Sequence, residues 1–488
     1  MITPETAERQ YSTRLRTALV LTGSGTAGAY HAGVLRALHE AGVKVDLVAG
    51  RGIGAASAFF AAVDGGARLW ESDGIWKRAS ARRLYGWRPP LRAAALAAAT
   101  AAIILAIPIV LLALAVIVAT LGMLLALVGL EGTGATLTAS YSGWIETVFR
   151  PAALPTVIPR LALLAILVGG AILAAALVLE TARARARRRT RRGLVWRLLG
   201  APISTSEFME RCAEELWNLI RGAAPLPTPP AAELARRYVE LLSENLGQPG
   251  FRELLVTVHD MDARRDLVFA LLGEPHRPRF FGRPSTASQT RLTEAFDLAG
   301  VARVHALDAL EAALAVPVAT EPHLITFAPE GPWRGETHRV CDRPGCLSRL
   351  LAETAAAGAD QVILLAAAPP PARPHELSAG RADLRGRAGE QIAAFETAAL
   401  GDVVEQFAGR FAGLFVIRPA HNPLGPLDFR GVYDERSDRR HTLGELADRG
   451  YEDAYRQFIE PVVGASGERI ERVQPVNGSP GGHGAVQL

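Results

Sequence analysis

Residues 17–56 read TALVLTGSGTAGAYHAGVLRALHEAGVKVDLVAGRGIGAA, and the fold is decided in them. Thr17 to Thr22 is a short apolar run ending in glycines, the pattern of a buried strand. Ala29 to Ala41 then has helical spacing, with Leu35 and Leu38 on one face and Gly42 as a stop. A second strand, Val45 to Ala49, meets another glycine cluster and enters a helix over Ala55 to Val63. Strand, helix, strand, helix at this spacing begins a parallel α/β sheet.

Both turns carry chemistry. Gly23-Ser24-Gly25-Thr26-Ala27-Gly28 spells G-x-G-x-x-G between a strand and a helix, where bare amides suit a pyrophosphate. A dinucleotide site also wants an acid at the far end of the second strand, and Asp46 stands at its beginning. A nucleotide-binding regulator is therefore kept only as an alternative from another class. Gly50-Arg51-Gly52-Ile53-Gly54 is more specific. It has the frame of a nucleophile elbow, G-x-S-x-G, on a sharp strand-to-helix turn, with Gly52 where the serine belongs.

The two clusters together resemble the start of a patatin-like phospholipase (PNPLA-type) domain, with its glycine-rich oxyanion loop, amphipathic helix and G-x-S-x-G. A third landmark is "AAAGADQVILLAA" (355–367), similar to the strand that follows the family's aspartate. Counting back by the family's spacing gives Asp342, and "DALEAALAVPVATEP" upstream of it is also similar to the family. The resemblance implies a three-layer α/β/α domain with a mainly parallel sheet. It also implies a serine–aspartate pair that splits lipid esters, and no cofactor or metal. Gly23, Ser24, Gly25, Thr26, Ala27 and Gly28 would form the oxyanion loop, and Gly50, Arg51, Ile53 and Gly54 the elbow. Gly52 and Asp342 would hold the two catalytic positions.

Three departures bear on the chemistry. Gly52 replaces the nucleophile, Ala27 the usual basic residue of the loop, and Arg343-Pro344 the two residues after the aspartate. Losing the nucleophile of such a unit costs on the order of 10⁶ in turnover. Ser57 lies more than a turn into the helix, and Ser24 sits where its amide would be the useful group. The expectation is a pseudo-hydrolase that binds acyl chains or assembles with other proteins. The alternative is an active lipid acyl hydrolase that uses Asp342 with water or another serine. Asp64-Gly65-Gly66 spells the aspartate motif literally but reads as a turn. His259-Asp260-Met261-Asp262 reads as a polar loop ahead of a metal site.

No charge interrupts Ala93 to Leu130 or Leu161 to Leu179. The second run matches one helical crossing, whereas the first as one helix would be about 57 Å long against a hydrocarbon core of about 30 Å. Lys77, Arg78, Arg82, Arg83, Arg88 and Arg92 precede the first run, and Arg183, Arg185, Arg187, Arg188, Arg189, Arg191 and Arg192 follow the second. Basic flanks belong on one face, so the number of crossings is even: Ile103 to Leu127 and Leu161 to Leu179. Glu131 to Arg160, with Trp144, Phe149 and three prolines, is expected as an interfacial loop.

With a net charge of +4, this bunching favours membrane ends over nucleic acid, and the resemblance implies membrane lipids or acyl esters as partners. Cys212, Cys341 and Cys346 form no even framework, which fits a reducing compartment. The localisation implied is integral to a membrane, simplest as a bacterial inner membrane with both soluble parts cytoplasmic. The expected organisation is 1–92, the first part of the patatin-like domain; 93–182, a transmembrane hairpin; 183–245, a basic and amphipathic connector; 246–465, the rest of the domain; and 466–488, a disordered tail. Further strands are expected at Leu254–Val258, Val362–Leu365 and Leu414–Ile417. Asp434 to Arg440 reads as a solvated charged loop, followed by a helix burying Leu443, Leu446, Tyr451 and Tyr455.

Overall fold

The computed structural model describes residues 11–186, 201–282, 293–331, 333–371, 380, 383–434 and 437–464. Arg187 to Arg192 and the expected tail therefore lie outside the described residues. Two compact units emerge: residues 1–86 with 204–488, and residues 87–203.

The first unit is built on a nine-stranded mixed sheet. Its strands are β1 (Thr17–Leu21), β2 (Leu47–Gly50), β3 (Glu253–Asp260), β4 (Arg265–Leu271), β5 (Thr293–Asp297), β6 (His323–Thr326), β7 (Thr337–Cys341), β8 (Gln361–Leu365) and β9 (Gly413–Ile417). The order is β5-β4-β3-β2-β1-β8-β9, with β7 paired to one end of β3 and to β6. The run from β3 through β2, β1 and β8 to β9 is parallel throughout. β4 and β7 join it antiparallel to β3. Every residue of β1 and β2 is buried, as a sheet covered on both faces requires.

The helices α1 (Ala27–Glu40) and α2 (Ile53–Ala62) follow β1 and β2 directly, one on each crossover. They cover the face carrying Leu19 and Val48. The α/β architecture expected from residues 17–56 is thus present.

In the second unit, α3 (Pro89–Leu127) is followed by α4 (Glu131–Val148) and α5 (Leu154–Ala186). Most of the segment expected as an interfacial loop is instead the helix α4. Gly134 presses on the backbone of Gly122, where an added Cβ would lie 2.5 Å from the Gly122 oxygen, and Tyr141 donates to the Leu111 carbonyl at 2.7 Å. α4 therefore runs antiparallel along the second half of α3. Its hydroxyls bond inside the helix, Thr136 to the Gly132 carbonyl and Thr147 to that of Gly143, so they need no water. α5 continues in the same direction along the first half of α3, with Gly169 against Ala94 and Ala97. The uncharged stretch of α5 thus lies beside the alanine-rich start of α3, whereas it was expected opposite Ile103 to Leu127. Residues at both ends of the unit meet, Trp87 bridging Ile203 antiparallel.

Back in the first unit, α6 (Ala306–Leu314) packs on β3 beside α2. α7 (Leu347–Ala356) and α8 (Leu384–Phe407) close the opposite face, where Leu350, Leu351, Leu400 and Val403 join Ala18, Val20, Leu47 and Ala49 in one core. α9 (Leu443–Ala454) starts with a reciprocal Thr442–Glu445 capping box. It buries Leu443 and Leu446, but Tyr451 and Tyr455 are only half-buried, their rings tilted against each other at 5.0 Å. Phe458, just beyond, takes the buried place expected for them.

One polar clamp ties α6 to β6. Asp308 accepts from His305 at 2.8 Å and from His323 at 3.0 Å. Burial opposes the charged ring of His323, but its bonds to Asp308 and Glu311 overcome this and raise it from 6.5 to about 9. A group that binds its proton more tightly when folded stabilises fully below its unfolded value, and that stability disappears as pH rises through the folded value. The unit should accordingly lose up to about 3 kcal/mol between pH 6.5 and 9 through this ring. Thermal unfolding of His323→Gln should show a flatter profile over that window.

Candidate active site

The glycine loop and the elbow lie at the carboxyl ends of the adjacent parallel strands β1 and β2. Gly52 sits at φ +55° and ψ −136°, a left-handed conformation that glycine adopts without strain. Gly54 has to be bare, because a Cβ there would lie 2.2 Å from the Leu21 carbonyl. The elbow therefore packs directly on the end of β1.

Asp342 follows β7 and is 1% exposed, its amide bonded to the Ala315 carbonyl at 2.9 Å. The two positions counted out from the sequence come together: a Cβ on Gly52 would lie 3.0 Å from Asp342 Oδ2. The same Cβ would also lie 2.2 Å from the Gly23 carbonyl oxygen. Backbone fills the room that a serine side chain would need.

Arg51 is the residue whose role sequence reasoning missed. It is 1% exposed, and its Nη1 donates to Asp342 Oδ1 at 3.0 Å and Oδ2 at 3.1 Å. Its Nη2 pairs with Glu396 on α8. One guanidinium thus holds two buried carboxylates, and both oxygens of Asp342 are engaged by it. The sequence signal was an arginine within a stretch otherwise entirely apolar or glycine.

Two amides beside the site are committed as well. Ile53 N–H, which follows the nucleophile position and would serve an oxyanion there, donates to the Gly23 carbonyl at 2.9 Å. Thr26 N–H donates to the Pro426 carbonyl at 3.0 Å, and a Cβ on Gly25 would meet that oxygen at 1.8 Å. Residues 425–426 cover the loop closely. Ala27 and Gly28 open α1, with Gly28 against the Trp76 ring.

A cavity of about 420 Å³ adjoins this loop, with Gly23, Ser24, Thr26 and Ala27 on one wall and Glu396 on another. Gly52 and Asp342 are not among its lining residues. On their side, Arg51, Asp342 and Asp266 border a space of only about 10 Å³, which holds no more than about one water.

Other side chains singled out from the sequence are otherwise engaged. Asp46 accepts from the Thr17 amide at 2.9 Å, and Asp64 is an exposed turn residue at φ +52°. His259 bonds Asp266, Asp260 bonds His338 and the amides of Asp262 and Ala263, and Asp262 bonds Arg339. These three face different partners. Among the described residues no group of three or more His, Cys, Asp or Glu side chains is placed to hold a metal ion.

Comparison with known proteins agrees with the geometry. The family model described as patatin-like phospholipase matches residues 19–164, from β1 through the elbow into α5, and ends before Asp342. No curated protein matches the chain. Among solved structures, the crystal structure of VipD from Legionella pneumophila is 12% identical, covering 93% of this chain and 69% of that one. Its TM-score of 0.29 is too low to carry any argument. The matched model spans loop and elbow alike, so residues 19–164 are similar to the patatin-like phospholipase family.

Proposed function

We propose that this chain is a membrane-anchored patatin-like protein that does not hydrolyse esters at its elbow. Its α/β unit serves to bind lipid or to assemble with other proteins. The observation that carries this reading is Arg51 bonded to both oxygens of Asp342, one residue from the missing serine. A carboxylate held in that way is not placed to take a proton from a hydroxyl at position 52. The oxyanion amide of Ile53 is occupied too.

Restoring the serine tests it. Gly52→Ser should add no hydrolysis of a short-chain nitrophenyl ester to that of the parent chain. It should lower stability by about 2–4 kcal/mol, because a side chain at this φ is strained and meets the Gly23 carbonyl. A gain in turnover by Gly52→Ser over the parent, or parent activity that disappears in a still-folded Asp342→Asn variant, would overturn the reading.

Anchoring is supported by α3 and α5. The stretches Pro89–Leu127 and Leu154–Leu179 are long and apolar enough to cross a membrane and are largely exposed. At 39 residues α3 is about 58 Å long, so only part of it fits a core of about 30 Å, and Pro108 within it removes a helical hydrogen bond. Trp87 beside Ile203 fits an even number of crossings with both basic flanks on one side.

One contact favours a second reading. Ser24 Oγ lies 3.5 Å from Asp342 Oδ2 and also lines the 420 Å³ cavity. An acyl hydrolase working through Ser24 and Asp342 would carry a fluorophosphonate adduct on Ser24.

A further inference from the structure

Away from the elbow, three side chains at i, i+4 and i+8 converge. Ser437 Oγ lies 2.6 Å from His441 Nε2, and His441 Nδ1 lies 3.2 Å from Glu445 Oε2. We propose that Ser437, His441 and Glu445 form a second nucleophile site, a Ser–His–Glu triad that hydrolyses small esters at the rim of the 420 Å³ cavity.

The arrangement has the order such a site needs: a hydroxyl on one ring nitrogen and an orienting carboxylate on the other. Ser437 is exposed, in the turn between the short strands β10 (Tyr433–Asp434) and β11 (Arg439–Arg440), so a substrate can reach it. His441 is 1% exposed, and its ring is fixed by its surroundings. Glu445 is held by the capping box of α9, where the Thr442 amide donates to its Oε2 at 2.9 Å. That bond first, then Arg439 and His441, holds Glu445 below the ordinary glutamate range against the opposing effect of burial. The carboxylate form therefore faces the imidazole.

Asp434 connects the triad to the cavity. It accepts from Ser437 Oγ at 2.7 Å, lies 3.5 Å from His441 Nε2, and lines the cavity. Arg449 approaches His441 Nδ1 only at 3.5 Å. The described cavity lining holds Glu390, Glu396, Asp428 and Asp434 but no lysine or arginine. A neutral or cationic ester suits these walls better than an anionic phospholipid.

In the reaction, the Ser437 hydroxyl turns from Asp434 to His441 Nε2, and Oγ adds to the ester carbonyl as its proton passes to that nitrogen. The tetrahedral adduct expels the alkoxide, which takes that proton and leaves as the alcohol. Water, deprotonated by His441, then splits acyl-Ser437 to the carboxylic acid and restores the hydroxyl.

Fluorophosphonate treatment of the full chain in detergent, followed by peptide mapping, tests the assignment. An adduct on Ser437 is expected, lost in Ser437→Ala together with 4-nitrophenyl butyrate hydrolysis. Glu445→Gln keeps a capping-box partner yet should slow labelling by about 10²-fold. No adduct, an adduct on Ser24 or any other serine, or full-rate labelling in a folded Glu445→Gln variant would overturn the proposal.

Discussion

Arg51→Met should lower the unfolding free energy of the α/β unit by about 3–5 kcal/mol, the cost of leaving buried charge without its partner. The arginine pairs with Asp342 at 1% exposure and Glu396 at 8% side-chain exposure, so its removal leaves two buried carboxylates and no counter-charge. Glu396→Gln should cost far less, about 1 kcal/mol, because the Arg51–Asp342 pair survives it. Replacing all three by apolar residues of matching volume should recover most of the loss, since buried ion networks are often no more stable than a packed apolar core. Guanidinium unfolding in detergent micelles, followed by tryptophan fluorescence, measures each step. If Arg51→Met were neutral, the guanidinium would not be what holds the closed site together.

This triad shows where sequence reading ended. The loop, the elbow and the pairing of Gly52 with Asp342 were legible because each is a local motif whose backbone demands glycine or follows a fixed spacing. The arginine was not. Its partners lie 291 and 345 residues away along the chain, and the x position of G-x-S-x-G gave no reason to expect a buried ion pair. The core strands β1, β2, β3, β8 and β9 were visible as apolar runs, whereas β6, HLIT, has one buried residue among four and no clear period. α4 was read as a loop from its threonines, glycines and serines. Hydroxyls that bond to their own helix carbonyls make that composition compatible with a helix packed on α3. Asp434 to Arg440 looked like solvated charge because the one buried ring it surrounds, His441, lies just past its end.

On the anchoring proposed above, excising Arg88 to Pro202, with Trp87 joined to Ile203 by an Asn-Gly turn, should leave a water-soluble α/β unit. The join is geometrically simple, since those two residues already pair antiparallel and Ser204 N–H donates to the Gly86 carbonyl at 2.9 Å. What is removed is a surface with no place in water: Ile109, Met123 and Leu127 on α3 are 70%, 70% and 78% exposed, and Leu164 on α5 is 57% exposed. Each such side chain gains about 1.5–3 kcal/mol on entering an apolar phase. Side chains on both helices contribute, and the total exceeds any contact that a peripheral protein would make through its basic flanks alone. The full chain should therefore resist extraction from membranes by alkaline carbonate or high salt, both of which weaken surface charge attraction. The excised chain should appear in the supernatant and unfold cooperatively. Release of the full chain by carbonate would show that α3 and α5 are buried against protein in the native state, and a bilayer would then have no part in the molecule.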